Sequence, residues 1–449
     1  MTATTAVSLT HSPLVRAFPL IISGMLVNKI GQDYDYKDIY YVVVVDCGSS
    51  GSRLHAYKFI LPKGYRRIDS ENLNIDDELY AAIKPGLSSY ADIPKVGAKA
   101  IVDLIKAADV FVPKEMKAVT PLIVRATAGL RVLPENKADT LIKHIREAIS
   151  DLGYPVNENS VKILKESDEG ICMWYAVNLL TDNLGKGTAM TSLEIGGASA
   201  QVTYAVNNDD INKYSANDIF IRPAVFSTTL FSHSFIGQGI GAARFGSLQL
   251  ESGHPEPQEL YLSVCLDPAL CEHEFNFFGQ LVKVSGTSRK GLSPEAVFAR
   301  CREIVQRYIK VTMKSTNVEK VPTENGVAAM GYFYHFSNDE GFITPDESGE
   351  ISILQIMEHA MGPSGGCATS DEKRPWRCFD AVFIVSLLQD GYGFDESTKI
   401  NVYNDIDGYG VEWSLGIAYN YVMAAITAQP GPANVYDKFI RSILAKRRK

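Results

Sequence analysis

The chain has 449 residues, 46% of them hydrophobic and 21% charged, which is the balance of a folded globular protein with room for two domains rather than of a disordered chain. Its net charge of −8 argues against a general nucleic-acid binder, which presents a basic face, so no nucleic-acid partner is expected. Anionic ligands stay open, because a glycine-lined pocket binds phosphate through backbone N–H groups.

The first apolar stretch is "AFPLIISGMLV" at 17–27. Neither it nor any other stretch reaches the roughly 18 apolar residues of a membrane span, so no transmembrane segment is expected. Its length suits a signal segment. The lone Arg16 before it, and the lack of a small-x-small cleavage site before Lys29, suit a plain leader, and residues 1–35 are read as a leader of either kind.

Strands are expected at "YYVVVVD" (40–46), "LHAYKFI" (54–60), "LIVRAT" (122–127), "MTSLEIG" (190–196) and "AQVTYAV" (200–206). Helices are expected at 96–109, 136–150, 168–181, 294–314 and 379–390, where apolar residues recur three or four apart. Residues 206–218 and 337–349 are turn-rich and read as surface loops, and the closing "AKRRK" as a solvated basic end. This alternation of strands and helices marks an α/β protein.

The seven cysteines leave at least one unpaired within the chain. Cys265, Cys271, Cys301, Cys367 and Cys378 crowd the second half and imply one or two disulfides, hence a secreted protein or an oxidising lumen. The alternative is a cytoplasmic protein, or one exported without a cleaved signal. Cys47 and Cys172 sit in apolar surroundings and read as small buried residues. "CLDPALCEH" lacks zinc spacing and reads as disulfide or free thiols.

One internal repeat stands out. "VVVVDCGSSGSRLHAY" (42–57) aligns with "MTSLEIGGASAQVTY" (190–204), putting Asp46 over Glu194, Gly48 over Gly196, and Ser49–Ser50 over Gly197–Ala198. Each copy is an apolar strand, an acid, a glycine turn and a second strand, which suggests two similar lobes. A tight Gly/Ser turn presents backbone N–H groups with no Cβ in the way, a cradle for phosphate. The acid at the strand end cannot bind phosphate itself; it suits a divalent cation that neutralises the phosphate oxygens. There is no G-x-x-x-x-G-K-[ST] loop and no G-x-S-x-G, and "GQGIGA" (237–242) lacks the context of a dinucleotide site. "VRATAGLRVLP" (124–134) places Thr127 and Arg131 after a strand, and "KESDEGICMWYAVNLL" (165–180) places Glu169 at a helix start, where an acid is otherwise a dipole partner.

These segments together resemble the apyrase motifs of the nucleoside triphosphate diphosphohydrolase family. "DCGSSGSR" is similar to the first motif, "RATAGLRVLP" to the second, "DEGICMWYAVNLL" to the third, "LEIGGASAQVTY" to the fourth and "EWSLGIAYN" (412–420) to the fifth; "CFDAVFIVSLLQDGYGF" (378–394) is also family-like. The likeness spans roughly residues 40–425. It implies membership of the actin, hexokinase and heat-shock ATPase superfamily, with two RNase H-like lobes and the active site in the cleft between them. Lobe I would be 36–165 plus 414–449, and lobe II 166–413.

The resemblance further implies Mg²⁺- or Ca²⁺-dependent hydrolysis of nucleoside tri- and diphosphates by direct water attack. Glu169 matches the general base, and Ser199 and Gln201 the residues that position the water. Asp46 and Glu194 match the acids that hold the cation through its water shell. Ser49, Ser50, Gly51 and Ser52, with Gly196, Gly197 and Ala198, would form the phosphate loops, with Thr127 beside them and Arg131 as a phosphate or structural contact. Tyr334, Arg374 and Trp376 are the candidates for holding the base. Glu194 stands where the family has Asp, a departure that bears on metal preference or turnover. The alternatives are a low-turnover nucleotide-binding or assembling protein of the same superfamily, or a polyphosphate phosphatase. The oligomeric state is not implied.

Overall fold

The computed structural model describes residues 21–23, 36–48, 51–62, 73–131, 133–222, 228–254, 258–277, 280–313 and 320–427. Ser49, Ser50 and the basic end lie outside them, as does most of the 17–27 segment. The described chain groups into two units, one running to Gly185 and resuming at Asp407, the other holding Lys186–Ile221 and Thr228–Ile406.

The first unit is built on a six-stranded sheet of β1 (Ile21–Ser23), β2 (Tyr36–Cys47), β3 (Ser52–Pro62), β4 (Asn74–Ile83), β5 (Leu122–Ala126) and β6 (Val161–Ile163). Their spatial order is β1-β4-β3-β2-β5-β6, and β2, β5 and β6 run parallel. Val43, Val45 and Cys47 pack with α1 (Pro94–Ile105), and with α3 (Glu135–Ile149) beyond the short α2 (Ala128–Arg131). The opposite face of β2 meets the last helix of the chain. Covering both faces is why the strand reads as an unbroken valine run rather than an alternating one.

That last helix packs along α4 (Glu166–Leu180), which carries Glu169 and groups with the first unit. The approach is close: a Cβ on Gly416 would stand 1.8 Å from the carbonyl oxygen of Cys172. Such contact, rather than position in the chain, decides which unit this helix joins.

The second unit repeats the plan. Its main sheet comprises β7 (Thr191–Ile195), β8 (Ser199–Val206), β9 (Ile219–Arg222) and β10 (Thr228–Ile236); the strands of a small sheet follow as β11 (Leu260–Ser263), β12 (His273–Phe277) and β13 (Gln280–Gly286); β14 (Val327–Gly331), β15 (Gly349–Ser352) and β16 (Lys399–Val402) complete the main sheet. The main order is β15-β16-β14-β7-β8-β10-β9. Thus β10-β8-β7-β14-β16 reproduces β4-β3-β2-β5-β6, with the same two antiparallel and two parallel pairings. Its helices are α5 (Ile240–Ser252), α6 (Pro294–Thr312), α7 (Tyr332–Asp339), α8 (Ile353–Met361) and α9 (Arg377–Ser386), and the chain returns through α10 (Trp413–Thr427).

The helices expected at 96–109, 136–150, 168–181, 294–314 and 379–390 correspond to α1, α3, α4, α6 and α9, with the first and last closing in tighter or wider turns. The supposed loops differ: 208–213 forms a 3-10 turn, and α7 extends to Asp339. Cys265–Cys301 and Cys367–Cys378 are disulfides; Cys47 and Cys172 are buried thiols, and Cys271 is an exposed one. Two disulfides fit an oxidising environment. Among the described residues no helix is long and apolar enough to cross a membrane.

Candidate functional site

Both hairpins have the same register. Asp46 lies opposite Arg53 and Cys47 opposite Ser52, while Glu194 lies opposite Gln201 and Ile195 opposite Ala200. Each acid is therefore the last residue but one of the first strand of its hairpin, and a glycine follows each strand, Gly48 in the first hairpin and Gly196 in the second, where the described turn is 196–199.

In the first unit the carboxyl ends of parallel strands gather the expected residues, the usual position for a ligand site in an α/β sheet. Thr127 follows β5, and its N–H donates to the Cys47 carbonyl at 3.3 Å. The chain leaving β6 is tied back by Leu164 N–H to the Ala126 carbonyl at 2.8 Å, and α4 then begins with Glu169 in its first turn. Gly51 is pressed against the sheet, a Cβ there standing 2.9 Å from the Ile83 carbonyl oxygen, and Ser52 is buried. Arg131 reaches Glu169, Nη2 to Oε2 at 2.9 Å, and does so from a partly buried position.

Asp46 is buried, its Oδ2 is 3.2 Å from Arg53 Nη1, and its Oδ1 has no hydrogen-bond partner among the described residues. Burial pushes its carboxyl up to about 7; Arg53 opposes the shift, and the charges of Glu412 and Glu169 add to it. A buried carboxylate with one oxygen unpaired, near two further acids, is a place that a cation or a cation's water shell stabilises. No three His, Cys, Asp or Glu side chains among the described residues converge as direct ligands of one ion. The donor set fits a cation held through water better than one caged by protein.

In the second unit the turn 196–199 is fixed from behind. Gly196 N–H donates to the Ser199 carbonyl at 2.9 Å, and Gly237 N–H to the Ala198 carbonyl at 2.8 Å. Ile240 and Ala242, in the first turn of α5, donate to the Gly196 and Gly197 carbonyls at 2.9 and 3.1 Å. All four turn carbonyls are thereby engaged, whereas the N–H groups of Gly197 and Ala198 find no acceptor among the described residues. A turn with its acceptors used and its donors left over has the arrangement that suits an anion.

The buttress is the "GQGIGA" segment, which the sequence reading set aside as a dinucleotide site. A Cβ on Gly239 would stand 2.3 Å from Ala198 N and 2.4 Å from the Gly197 carbonyl carbon. Beside the turn, Gly331 takes φ +67 where a Cβ would meet the Ile195 carbonyl oxygen at 2.6 Å, and its neighbour Met330 pairs with Glu194. Gln201 is buried and gives Nε2 to Ser199 Oγ at 2.9 Å. Glu412, Gly239 and Gly331 are the residues that sequence reading missed; the signals in the sequence were the glycine-rich "GQGIGA" for Gly239 and a glycine closing an apolar strand for Gly331.

The three base-holding candidates have other engagements. The Tyr334 hydroxyl accepts from Asp346 N–H at 3.0 Å, and its ring is buried. Trp376 is buried edge-on to Phe275, Phe277 and Phe379, with the Arg244 guanidinium 5.1 Å from its ring centre. Arg374 binds Asp371 Oδ2 and the Asp339 carbonyl at 2.9 and 2.6 Å and is the exposed one of the three.

A sequence model of the GDA1/CD39 (nucleoside phosphatase) family matches residues 33–338 and 364–435. Ectonucleoside triphosphate diphosphohydrolase 5 of Gallus gallus is 28% identical over 389 residues, covering 86% of this chain and 88% of that protein. Nucleoside-diphosphatase uda-1 of Caenorhabditis elegans is 29% identical over 409 residues, covering 85% and 81%. Among solved structures, that of nucleoside triphosphate hydrolases from Neospora caninum aligns with a TM-score of 0.61 at 15% identity, covering 86% of this chain and 92% of that one. With the repeated sheet order, that likeness establishes the fold as the actin-like ATPase type.

Proposed function

The chain belongs to the GDA1/CD39 (nucleoside phosphatase) family, and from that premise we propose that it hydrolyses nucleoside tri- and diphosphates to the monophosphate and inorganic phosphate. The observation that carries this reading is the turn at 196–199, with spare N–H donors between an acid and a buried glutamine. The relatives' names, one a triphosphate diphosphohydrolase and one a nucleoside-diphosphatase, support both substrate classes.

In this mechanism Glu169 takes the proton of the attacking water, and Ser199 and Gln201 orient that water. The two turns bind phosphate oxygens through backbone N–H groups, Thr127 assisting the first; the first turn is Ser49, Ser50, Gly51 and Ser52, and the second is Gly196, Gly197 and Ala198. Asp46 and Glu194 would hold Mg²⁺ or Ca²⁺ through its waters. The cation neutralises phosphate charge when bound. Arg131 holds Glu169 rather than substrate, given their 2.9 Å contact. Arg374, with the greatest exposure of the three candidates, is assigned to the base. Little covalent work falls to the protein; positioning and charge do most of it. The division into two catalytic lobes and an oxidising, secreted or lumenal setting belong to the same proposal, the latter supported by the two disulfides.

The test is phosphate release from a panel of nucleoside tri- and diphosphates with Mg²⁺, Ca²⁺ or EDTA, for the parent and Glu169→Gln. Cation-dependent release that falls by roughly 10²-fold or more in the variant supports the reading, as a lost general base requires. Tight nucleotide binding without release would make the protein a binder instead.

A further inference from the structure

Cross-strand register gives the sheet of the second unit one polar face. Ser192, Thr203 and Ser232 form one row across β7, β8 and β10, and Glu194, Gln201 and Ser234 form the next. Leu193, Ile195, Ala200, Val202 and Phe235 point the other way, into the core. Within the polar rows, Thr203 Oγ1 and Ser232 Oγ are 2.8 Å apart. The Gln201 side chain belongs to a residue only 3% exposed. Its Nε2 donates twice, to Ser199 Oγ at 2.9 Å and to Ser234 Oγ at 3.2 Å, while its Oε1 is buried with no hydrogen-bond partner among the described residues.

We infer that Ser234 is a positioning residue that sets the polarity of the Gln201 amide, and through it the orientation of the attacking water. The inference rests on the reading above, in which Gln201 touches that water; Ser234 itself lies on β10, outside every motif segment. The torsion of a terminal amide is broad and nearly two-fold, so sterics alone do not distinguish the two ends. Their hydrogen-bonding characters are opposite: nitrogen only donates and oxygen only accepts. Two hydroxyl oxygens, from Ser199 on the same strand and Ser234 on the next, accept from the nitrogen and so commit the oxygen to the remaining direction.

An acceptor in that direction receives a hydrogen bond from the water, orienting it so that its lone pair faces phosphorus while its other proton is free for Glu169. A flipped amide would offer N–H to the lone pair and oppose attack. An unpaired buried acceptor is costly, and here it is held by construction, from two strands at once. Ser199 alone would anchor the amide by one bond. Ser234 supplies the second anchor and makes no substrate contact of its own.

The experiment is steady-state phosphate release from ADP and ATP with Mg²⁺, together with thermal unfolding, for the parent and for Ser234→Ala, Ser234→Thr, Ser232→Ala and Gln201→Ala. Ser232→Ala removes a buried hydroxyl from the neighbouring row and serves as the structural control. For Ser234→Ala we expect kcat to fall about five- to tenfold, the worth of one hydrogen bond, with KM within about twofold. Ser234→Thr, which keeps the acceptor, restores most of the rate, and Ser232→Ala leaves kcat within about twofold while lowering the melting temperature about as much as Ser234→Ala does. Equal kcat losses in the two alanine variants, or an unchanged rate in Ser234→Ala beside an impaired Gln201→Ala, would overturn the inference about Ser234 alone. A parent that releases no phosphate, or a Gln201→Ala variant with full activity, would instead overturn the underlying reading and the inference with it.

Discussion

Arg131 Nη2 donates to Glu169 Oε2 at 2.9 Å, so an arginine of the second motif segment grips the carboxylate assigned as the base. The same guanidinium reaches the Leu164 carbonyl at 3.4 Å and is thereby tied to the segment that leads into α4. Both members of the pair are largely withdrawn from solvent, where losing one partner costs more than at the surface. Arg131→Met is expected to lower kcat at least tenfold, by loosening the base, and to leave KM for ADP within about threefold. A rise in KM at constant kcat, measured in the same assay, would make Arg131 a phosphate ligand instead.

Asp46 carries a burial cost on its charged form. Burial and the neighbouring acids resist its charge, and Arg53 and His55 partly offset them. Asp46→Asn removes the buried charge together with the carboxylate proposed to anchor the cation. The variant is expected to melt above the parent in EDTA at about pH 8 and to lose cation-dependent turnover by about 10²-fold. A lower melting temperature than the parent's under those conditions would show that the Arg53 pair outweighs the burial cost.

Gly239 tests the buttress behind the second turn. Its φ of −71 and ψ of 152 suit any residue, so an added methyl acts by contact alone. That methyl would meet backbone atoms of Gly197, Ala198 and Ser199 at 2.3–2.4 Å. Gly239→Ala is expected to shift the turn by a fraction of an ångström and cut kcat/KM on the order of 10²-fold, with the far-UV circular dichroism unchanged. Parent-like kinetics would mean that α5 yields and the turn does not depend on it.

His55 gives a pH dependence of stability with a definite sign. Burial lowers its proton affinity, but the Glu78 hydrogen bond at 2.7 Å and the Glu78 charge outweigh this, and the net shift is upward from 6.5. A group raised on folding stabilises fully below its unfolded value, near 6.5, and that contribution is lost as pH rises through the higher folded value. The melting-temperature gap between the parent and Glu78→Gln should therefore be widest near about pH 6 and close towards about pH 9. A gap that widens with pH would refute the assignment.

The thiols are separable by access. Cys271 is exposed, whereas Cys47 and Cys172 are buried. Iodoacetamide on the native, unreduced protein should modify one cysteine, and on the denatured, unreduced protein three, as read by intact mass. Native labelling of Cys172 would mean that α4 and α10 separate readily.

The hairpins were legible because their information is local: a valine run, one acid, a glycine turn, repeated. The shared sheet order was not. β14 and β16 add to β7 long after it in the chain, and their short apolar sequences say nothing of which neighbour they choose. α5 was hidden by its glycines; Gly246 is there because a Cβ would come within 2.4 Å of the Tyr308 ring. Aromatic candidates such as Trp376 expose the opposite limit, since burial among phenylalanines and stacking on a ligand draw on the same residue types. The equivalence of Arg53 and Gln201 in the two registers was available from the repeat, yet its meaning appears only once one is seen to pair with a carboxylate and the other with hydroxyls.

In the proposed reading the second turn recognises its ligand with peptide N–H groups, so recognition depends on the shape of the backbone there more than on the chemistry of side chains. Selection falls also on the surface behind it, where Gly239 admits the helix start and any larger residue would dislodge the turn. Across relatives of this chain, the glycines that support the turn from behind should therefore be as invariant as the residues of the site. An alignment ranked by invariance would thus highlight the support of the site along with the site itself.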